Sequence, residues 1–431
     1  MGEVSGIYSL THRVRWRIYA LLFTFGCIAY FQKSGLTVAA ERMMPALHLS
    51  QVQIGWLEWS LILGYTLFQF PGGLLGQRWG TRLTFTVIST VAFFGTVLTP
   101  LAPEALQGSA LFVALCALQC LVGVAQGPIF PVGAGIVEAW FPPKSWAFVQ
   151  GMQSLGLGFA SALTAPLVAY LMSTVGWQQA LLWPALPAAG VIVLWAWYAR
   201  NSPREHRGVS AEELVEIGER PAAEARPLSV SRVKKILVNR SVLLLTLSYV
   251  CMNYVYYLIS FWCFLYLVQE RHFNVLEGGL LTAAPQFAAG LGAGVGGKLV
   301  SMACSRFGAR RGFRLVPFLS LPSAGLLLIV TVAVGNAYLA VAALSLTYFL
   351  IELNEGAYWG TTMFVAREEC MAATGVLNTG GNVGGLIVTP IAAALSGAGH
   401  WSLVFLIGAA FALVSALLWF GIDADQRVAA A

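Results

Sequence analysis

Twelve apolar runs follow one another along this chain, and polar segments separate them. The hydrocarbon core of a bilayer is about 30 Å thick, so a helix needs roughly 20 apolar residues to cross it. Each run is long enough to do so, which predicts an all-α membrane protein with twelve transmembrane helices. The runs lie at residues 17–40, 53–76, 82–101, 107–136, 146–173, 177–199, 241–268, 277–303, 314–334, 338–365, 372–397 and 401–422.

The composition agrees with this class. Of 431 residues, 58% are hydrophobic and only 10% are charged, whereas an ordinary soluble domain carries about a quarter charged residues. The basic stretch 11–17 precedes a long apolar run that lacks a small-residue cleavage site. We therefore expect a first transmembrane helix there rather than a signal peptide.

The net charge of +6 is distributed in a way that argues against a nucleic-acid partner. Of the 25 Lys and Arg residues, 21 fall in one alternating set of polar segments, which includes both ends of the chain and residues 200–240. Positive residues accumulate on the cytoplasmic side of membrane proteins. We therefore expect both termini and the 200–240 segment in the cytoplasm, and the protein in a bacterial inner membrane.

Cysteine and histidine give no sign of a metal, a cofactor or a catalytic centre. The seven cysteines are scattered, which predicts free thiols, and the five histidines fall in loops or termini. Glycines at 290, 292, 294, 296 and 297 lie in an apolar run with no strand before them, so they predict close helix packing rather than a dinucleotide site. The sequence predicts that the protein is not an enzyme.

The two halves of the chain repeat each other. Gly72–Gly73 matches Gly296–Gly297, segment 151–166 matches 375–390, and Gln126–Gly127 matches Glu355–Gly356. Such repeats are typical of transporters, which place the substrate near the midplane between the halves. We predict two pseudo-symmetric six-helix bundles.

The predicted domain limits are 1–199 for the N-terminal bundle, 200–240 for a cytoplasmic linker and 241–431 for the C-terminal bundle. Within the linker, the acidic stretch 212–224 predicts a short amphipathic helix. The cluster at 231–235 is basic, and we expect it at the membrane surface near anionic headgroups.

Lys33 stands in the first apolar run. A cation near the middle of a bilayer costs at least ~2.5 kcal/mol, and chains retain such a charge when it faces a cavity. Lys33 is therefore a candidate to bind an anionic substrate. The alternative is a lysine that extends its amine to the outer surface, since Glu41 marks the outer end of the run eight residues later.

Three carboxylates fall inside apolar runs, namely Glu58, Glu352 and Glu355. A carboxylate buried in a membrane can exchange protons near neutral pH, so all three are candidates for proton coupling. Glu58 is also a candidate partner for Lys33, or a partly hydrated glutamate. For Glu352 the alternative is a hydrogen bond to Asn354 or to the backbone of the run at 372–397. Glu355 has a structural alternative, as a cap on broken backbone or a partner of an asparagine in that run.

Polar and aromatic residues form one helical stripe in the run at 241–268. Tyr249, Asn253, Tyr256 and Ser260 have i, i+4, i+7, i+11 spacing, and Tyr257 adjoins the stripe. A few polar groups on an apolar wall are typical of small-ligand sites. The alternative for each is a hydrogen bond between helices.

Segment 73–82, Gly-Leu-Leu-Gly-Gln-Arg-Trp-Gly-Thr-Arg, resembles the loop motif of the major facilitator superfamily, with Gln77 where that motif usually has Asp. Segments 30–40, 63–73 and 378–385 resemble more narrowly the anion:cation symporter family, which includes sialin, vesicular glutamate carriers and bacterial sugar-acid permeases. The resemblance covers nearly the whole chain. It implies a transporter that moves its substrate by rocker-switch alternating access.

The resemblance also implies roles for residues in the first half. The family usually shows Tyr-x-Asp-Arg in the first helix, where the Arg contacts substrate carboxylate and the Asp couples protons. Here Gln32 and Lys33 stand at the last two positions, and Gln126 stands where the family tends to have Glu. Lysine keeps the charge without the planar fork of arginine. Glutamine carries no proton, so coupling is predicted to be weak or absent.

These observations predict a secondary active or facilitative transporter of a small organic anion, a carboxylate or a sugar acid, that functions as a monomer with lipid around it. The alternatives are a transporter-like sensor that signals through residues 200–240, and a cation or metal transporter. The predicted substrate-binding residues are Lys33, Gln32, Tyr65, Gln126, Asn253, Tyr256, Tyr257 and Asn378. Gln69, Gln119, Gln153, Gln286 and Asn382 are further polar candidates.

Overall fold

A computed structural model describes residues 13–218 and 230–425. Over these ranges the regular structure is helical, with seventeen α-helices and three short 3₁₀ turns. The helices are α1 Val14–Leu47, α2 Gln51–Trp79, α3 Thr81–Ala105, α4 Gly108–Gln126, α5 Ile129–Trp140, α6 Trp146–Val175, α7 Trp177–Leu182, α8 Ala185–Tyr198, α9 Ala211–Ile217, α10 Val230–Val238, α11 Arg240–Gln269, α12 Val275–Phe307, α13 Ala309–Ala333, α14 Ala337–Glu352, α15 Glu355–Ala366, α16 Cys370–Gly397 and α17 Trp401–Leu418.

The twelve predicted membrane passages are confirmed. Nine stretches of the described chain are long and apolar enough to cross a membrane. One of them, Ala337–Gly397, contains two passages, α14 with α15 and then α16. Helices α2 and α6, with 29 and 30 residues, complete the twelve.

Three of the passages are broken helices, which the apolar pattern did not predict. Two breaks coincide with proline, at Gly127–Pro128 and Trp183–Pro184, because proline has no N–H to continue the helix. The third lies at Leu353–Asn354, where the Asn354 side-chain amide donates to the carbonyls of Leu350 and Ile351, at 2.8 and 3.0 Å. A side chain that bonds the backbone in this way competes with helix continuation.

The described residues form two compact units. Unit 1 comprises residues 13–142 and 163–218, and unit 2 comprises 143–162 and 230–425. Residues 143–162, with the first half of α6, pack with unit 2 because Gly151 lies against Gly297 of α12 without a side chain between them. The predicted domain limits of 1–199, 200–240 and 241–431 stay a prediction.

Each unit repeats the same helix pairs. In unit 1, α2 and α3 both pack on α4, and in unit 2, α12 and α13 both pack on α14. The paired glycines take equivalent positions, since Gly72 packs on Pro128 and Gly296 packs on Leu353, each beside a helix break. The repeat is offset at the break itself, which follows Gln126 in unit 1 but precedes Glu355 in unit 2.

Glycine contacts set the distance between the paired helices. A Cβ added to Gly296 would lie 2.1 Å from the Leu353 carbonyl oxygen, and one added to Gly292 would lie 2.3 Å from that of Phe349. The predicted packing role of the glycines at 290–297 is therefore confirmed. In unit 1, a Cβ at Gly123 would lie 2.0 Å from the Leu61 carbonyl oxygen and 2.8 Å from the Tyr65 nitrogen.

Substitution of Gly123 with alanine is expected to destabilise the protein. The new methyl group must push α4 away from α2, and overpacking of this kind costs about 1–3 kcal/mol. We expect a lower midpoint of thermal unfolding in detergent, measured by the loss of monodisperse protein after heating. Gly55→Ala is the matched control, because a Cβ on Gly55 of α2 meets nothing within 4 Å and should leave the midpoint unchanged.

The short amphipathic helix predicted in the linker is α9, and the rest of the predicted acidic stretch, from residue 219, lies outside the described residues. Glu213 of α9 accepts hydrogen bonds from the backbone N–H groups of Val14 and Arg15, at 3.2 and 3.1 Å. Glu216 forms ion pairs with the side chains of Arg13 and Arg15. The first turn of α1 is thus capped by a carboxylate from α9, which favours its dipole.

Candidate functional site

Lys33 is held in unit 1 by aromatic rings. Its Nζ lies 4.5 Å from the ring centroid of Tyr65 and 5.9 Å from that of Tyr30. A cation over the face of a tyrosine ring is stabilised by the ring quadrupole. Tyr65 is a buried residue of α2, so the contact places the Lys33 ammonium on the protein-facing side of α1. This position favours the cavity interpretation of Lys33 over extension to the outer surface.

The predicted partnership of Lys33 with Glu58 has no support in the structure. Among the residues that the structure describes, no carboxylate lies within ion-pair distance of Lys33. Glu58 is half-buried between Trp56 and Trp59, whose side chains are about half exposed. The Lys33 charge is therefore balanced by ring faces rather than by a carboxylate, and it can attract an anion.

Two glutamines stand beside Lys33. The buried Gln126 side chain donates to the Gln32 side-chain oxygen at 3.1 Å and to the Ala29 carbonyl at 3.4 Å. The side-chain oxygen of Gln32 accepts this bond. The side-chain N–H groups of Gln32 can therefore donate to a ligand. The structure thus brings a cation and amide donors together on adjacent residues of α1.

A small cavity of about 20 Å³ lies next to the glutamine pair, lined by Gln32, Gln119, Thr96 and Thr99 among others. Its size matches a single water molecule. Gln119 donates to the Thr99 hydroxyl of α3 at 3.1 Å.

Gln69 on α2 is a further polar group in unit 1. Its side chain is fully buried, and neither its oxygen nor its nitrogen has a hydrogen-bond partner in the structure. It lies one turn after Tyr65, where α2 crosses the break at Gly127. A buried amide without partners costs about 1–3 kcal/mol, so a water or a ligand group is expected there.

In unit 2, Glu355 is the first residue of α15 and is buried. One carboxylate oxygen accepts from the Tyr249 hydroxyl at 3.0 Å, and the other accepts from the Trp359 indole at 2.9 Å. The structural alternatives predicted for Glu355 were a cap on broken backbone and a bond to an asparagine of α16. The observed partners, Tyr249 and Trp359, are different. Trp359 was not predicted, although its i+4 position relative to Glu355 in a helix was a usable signal.

Glu352 ends α14, on the other side of the break from Glu355, and is also buried. The hydrogen bond to Asn354, one of the two structural alternatives for Glu352, is not observed. The Asn354 amide group donates to two backbone carbonyls, and its oxygen accepts from Ser320 at 2.9 Å. The break in unit 2 is therefore flanked by two buried carboxylates. The Tyr249 hydroxyl and the Trp359 indole both donate to Glu355.

The predicted stripe on α11 faces α14, α15 and α16, and its residues Tyr256 and Ser260 contact Tyr348 of α14. Asn253 is buried and donates to the Tyr249 carbonyl at 3.0 Å. Tyr257 donates to the Asn382 side-chain oxygen at 3.0 Å, and the rings of Tyr256 and Tyr257 meet edge to face at 5.1 Å. Tyr256 and Tyr257 are half-buried, so they remain accessible to a small ligand.

Asn378 lies on α16 near this stripe and is half-buried. Its backbone carbonyl accepts from the Asn382 amide at 2.8 Å, whereas its own side-chain nitrogen has no partner in the structure. Asn378 therefore has an unused donor, as expected of a residue that binds a ligand.

The structure thus gathers the predicted residues into two groups. Gln32, Lys33, Tyr65 and Gln126 form the cationic group of unit 1, and Asn253, Tyr256, Tyr257, Asn378, Glu352 and Glu355 lie in the acidic and aromatic group of unit 2. Glu58 belongs to neither group.

No set of three His, Cys, Asp or Glu side chains suited to a metal occurs in the part of the chain that the structure describes.

Comparison with known families and proteins gives a consistent result. The model of the Major Facilitator Superfamily matches residues 22–370. Among curated proteins, the chain is 28% identical to the probable sulfoacetate transporter SauU of Cupriavidus necator, over 94% of this chain and 93% of that protein. It is also 28% identical to the probable galactarate/D-glucarate transporter GudP of Bacillus subtilis, over 88% and 84%.

Solved structures show the same fold. The proton:xylose symporter XylE superposes with a TM-score of 0.72 over 95% of this chain and 96% of that one. The two sequences are only 12% identical, so the similarity concerns the fold.

Proposed function

This chain belongs to the Major Facilitator Superfamily, and on that premise we propose that it carries a small organic anion across the membrane by alternating access, with Lys33 binding the anionic group. The relatives are named transporters rather than enzymes, and the chain is a multi-pass integral membrane transporter of small molecules. We propose further that both termini are cytoplasmic, that the membrane is a bacterial inner membrane, and that the monomer is the functional unit.

The observation that carries the proposal is the state of Lys33. Its ammonium lies against the buried Tyr65, with no carboxylate within ion-pair distance among the described residues. A cation inside a membrane helix is costly without a negative partner. An anionic substrate would supply that partner, so its binding is favourable where a neutral solute gains nothing from the charge.

Carboxylates and sulfonates both suit the group in unit 1. A lysine ammonium is a compact charge with three donors and does not require the planar geometry that arginine matches. Sulfoacetate carries a sulfonate and a carboxylate, and galactarate carries two carboxylates and several hydroxyls. The amide N–H groups of Gln32 in unit 1 are suitable partners for such oxygens. We propose a carboxylate, a sugar acid or a sulfonated acid as the substrate.

Proton coupling, in this proposal, is absent from unit 1. Gln32 and Gln126 bond to each other at 3.1 Å, and neither amide gains or loses a proton at physiological pH. Unit 2 keeps Glu352 and Glu355, buried on either side of the break. Two ionised carboxylates that are buried close together repel each other, so such a pair is suited to share one proton. We propose Glu355, supported by Glu352, as the proton-carrying group.

A sensor is the second candidate, because the linker is tied to the helix that bears Lys33. Helix α9 contacts the first turn of α1 through Glu213 and Glu216. Ligand binding at Lys33 can therefore reach the cytoplasmic linker through a single helix. A sensor would bind an anion without net flux, and the experiment below separates the two functions.

Uptake into proteoliposomes tests the proposal directly. The labelled panel is sulfoacetate, galactarate, galacturonate, neutral galactose and a divalent metal ion, each with and without an imposed pH gradient. We expect saturable uptake of at least one anion and none of galactose, since only an anion pairs with Lys33. Galacturonate and galactarate differ by one carboxylate, so their ratio reports how many charges the site accepts. Uptake of galactose alone, flux of divalent metal ions, or binding of an anion without flux would overturn the proposal.

A further inference from the structure

A polar cleft lies in unit 2, away from the residues discussed above. It has a volume of about 510 Å³ and is formed by the start of α11, the first turns of α13 and the segment after α17. Its lining residues are Arg240, Arg310, Arg314, Phe420, Gly421, Asp423 and Asp425. Three arginines from two helices therefore converge with a short peptide segment.

The charges of the cleft are only partly balanced. Arg310 lies 3.5 Å from the Asp423 carboxylate. Arg314 donates to the Ile422 carbonyl at 2.7 Å, a bond that fixes the guanidinium without cancelling its charge. Neither Arg240 nor Arg314 has a carboxylate within ion-pair distance among the described residues.

The peptide segment is held firmly in place. The Ser241 hydroxyl of α11 donates to the Asp423 carbonyl at 3.1 Å and accepts from the Asp423 N–H at 3.2 Å. The cleft is thus a built feature with fixed walls rather than a chance grouping of mobile surface arginines.

One edge of the cleft is apolar. Phe420 lines it and is 68% exposed, and Leu417, one turn earlier on α17, is 62% exposed. Leu319 of α13 is 65% exposed. In a membrane helix, large exposed apolar side chains face lipid chains. The guanidinium groups therefore adjoin an exposed apolar surface at the ends of the membrane helices, where we expect the lipid headgroups.

We infer that this cleft binds the phosphate of an anionic phospholipid of the phosphatidylglycerol type. Arg240 and Arg314 pair with the phosphate oxygens, because guanidinium forks match phosphate geometry. The exposed Asp425 carboxylate accepts from the glycerol hydroxyls of the headgroup, and the acyl chains follow Phe420 and Leu417. Basic pockets between helices on the cytoplasmic side bind the anionic headgroups of cardiolipin and phosphoinositides in other membrane proteins. This site is independent of the proposed transport function.

Native mass spectrometry of the full chain in detergent tests the inference. Dioctanoyl phosphatidylglycerol is titrated against dioctanoyl phosphatidylcholine, and the occupancy of the first bound lipid is compared. We expect the anionic lipid to bind about ten-fold more tightly, and Arg240→Gln to weaken it about five-fold, the effect of one basic residue at a membrane surface. Arg240 is exposed at the start of α11, so this change should leave folding intact.

Arg306→Gln is the matched control, because it removes the same charge from an exposed arginine of α12 that does not line the cleft. Its affinity for the anionic lipid should equal that of the unmodified protein. Equal loss in both variants would show diffuse surface attraction and overturn the inference. So would equal binding of the two lipids. Competition by soluble glycerol phosphate at the same concentration would identify a free phosphate ester, rather than a lipid, as the ligand.

Discussion

Replacement of Lys33 with alanine is expected to abolish saturable anion uptake, whereas Lys33→Arg should retain it. The alanine variant leaves the substrate anion without a counter-charge in a region bounded by buried Tyr65. Removal of one partner of a buried ion pair costs at least ~3 kcal/mol, which corresponds to a loss of about 100-fold in apparent affinity. Initial rates of uptake over a range of substrate concentrations measure this effect.

Lys298→Ala is the matched control for this experiment. Lys298 is the other lysine inside a long transmembrane helix of the described chain, but its side chain on α12 is exposed and flanked by exposed Leu299 and Val295. This pattern indicates a lysine that faces lipid. Uptake should be unchanged in Lys298→Ala. Unchanged uptake in Lys33→Ala would contradict the role of Lys33, and a matching loss in both variants would indicate a general defect of insertion.

The sequence predicted Lys33 as a site residue but not its partner. Glu58 and Tyr65 are seven residues apart, so they share a face of α2 at levels about 10 Å apart along the helix axis. The level at which Lys33 meets α2 depends on how closely α1 and α2 approach and where they cross. Those quantities follow from the whole set of helix contacts, and the apolar pattern carries no information on them.

The residues around Glu355 show the same division between local and distant contacts. Its bond to Trp359 connects residues i and i+4 of one helix, so spacing alone would have been sufficient to predict it, although the sequence analysis did not do so. Its bond to Tyr249 joins α15 to α11, 106 residues away in sequence. The sequence placed Tyr249 on a polar stripe and left two roles open for it, ligand lining or a hydrogen bond between helices. The observed bond is of the second kind, and spacing could not decide between them, because a hydroxyl that bonds a buried carboxylate has the same spacing as one that bonds a substrate.

The helix breaks explain why the two halves could be matched only approximately from sequence. Proline marks the break after Gln126, whereas in unit 2 an asparagine side chain competes for backbone carbonyls before Glu355. An alignment that pairs Gln126 with Glu355 matches chemistry but shifts the break. Gln126 consequently ends a helix, while Glu355 begins one, where a carboxylate is favoured by the helix dipole.

Glu355→Gln is expected to remove the response of uptake to a pH gradient while exchange of internal for external substrate continues. Glutamine keeps an oxygen that can accept from Tyr249 or Trp359, but it cannot gain or lose a proton. One proton per anion and a gradient of one pH unit supply about 1.4 kcal/mol, which limits accumulation in the unmodified protein to about ten-fold, and weak coupling gives less. The accumulation ratio should fall to unity in the variant. Accumulation ratios in proteoliposomes measure both values.

Glu58→Gln and Glu277→Gln distinguish this role from a general effect of charge. Glu58 is only half-buried beside Trp56 and Trp59, and Glu277 at the start of α12 accepts from the Tyr338 hydroxyl at 2.6 Å, so neither carboxylate belongs to the group around Glu355. Both variants should retain the accumulation ratio of the unmodified protein. If Glu355→Gln also retains it, Glu355 does not carry the coupling proton, and a loss in Glu58→Gln alone would transfer that role to unit 1. Because exchange needs no proton, its survival in Glu355→Gln separates a coupling defect from a misfolded transporter.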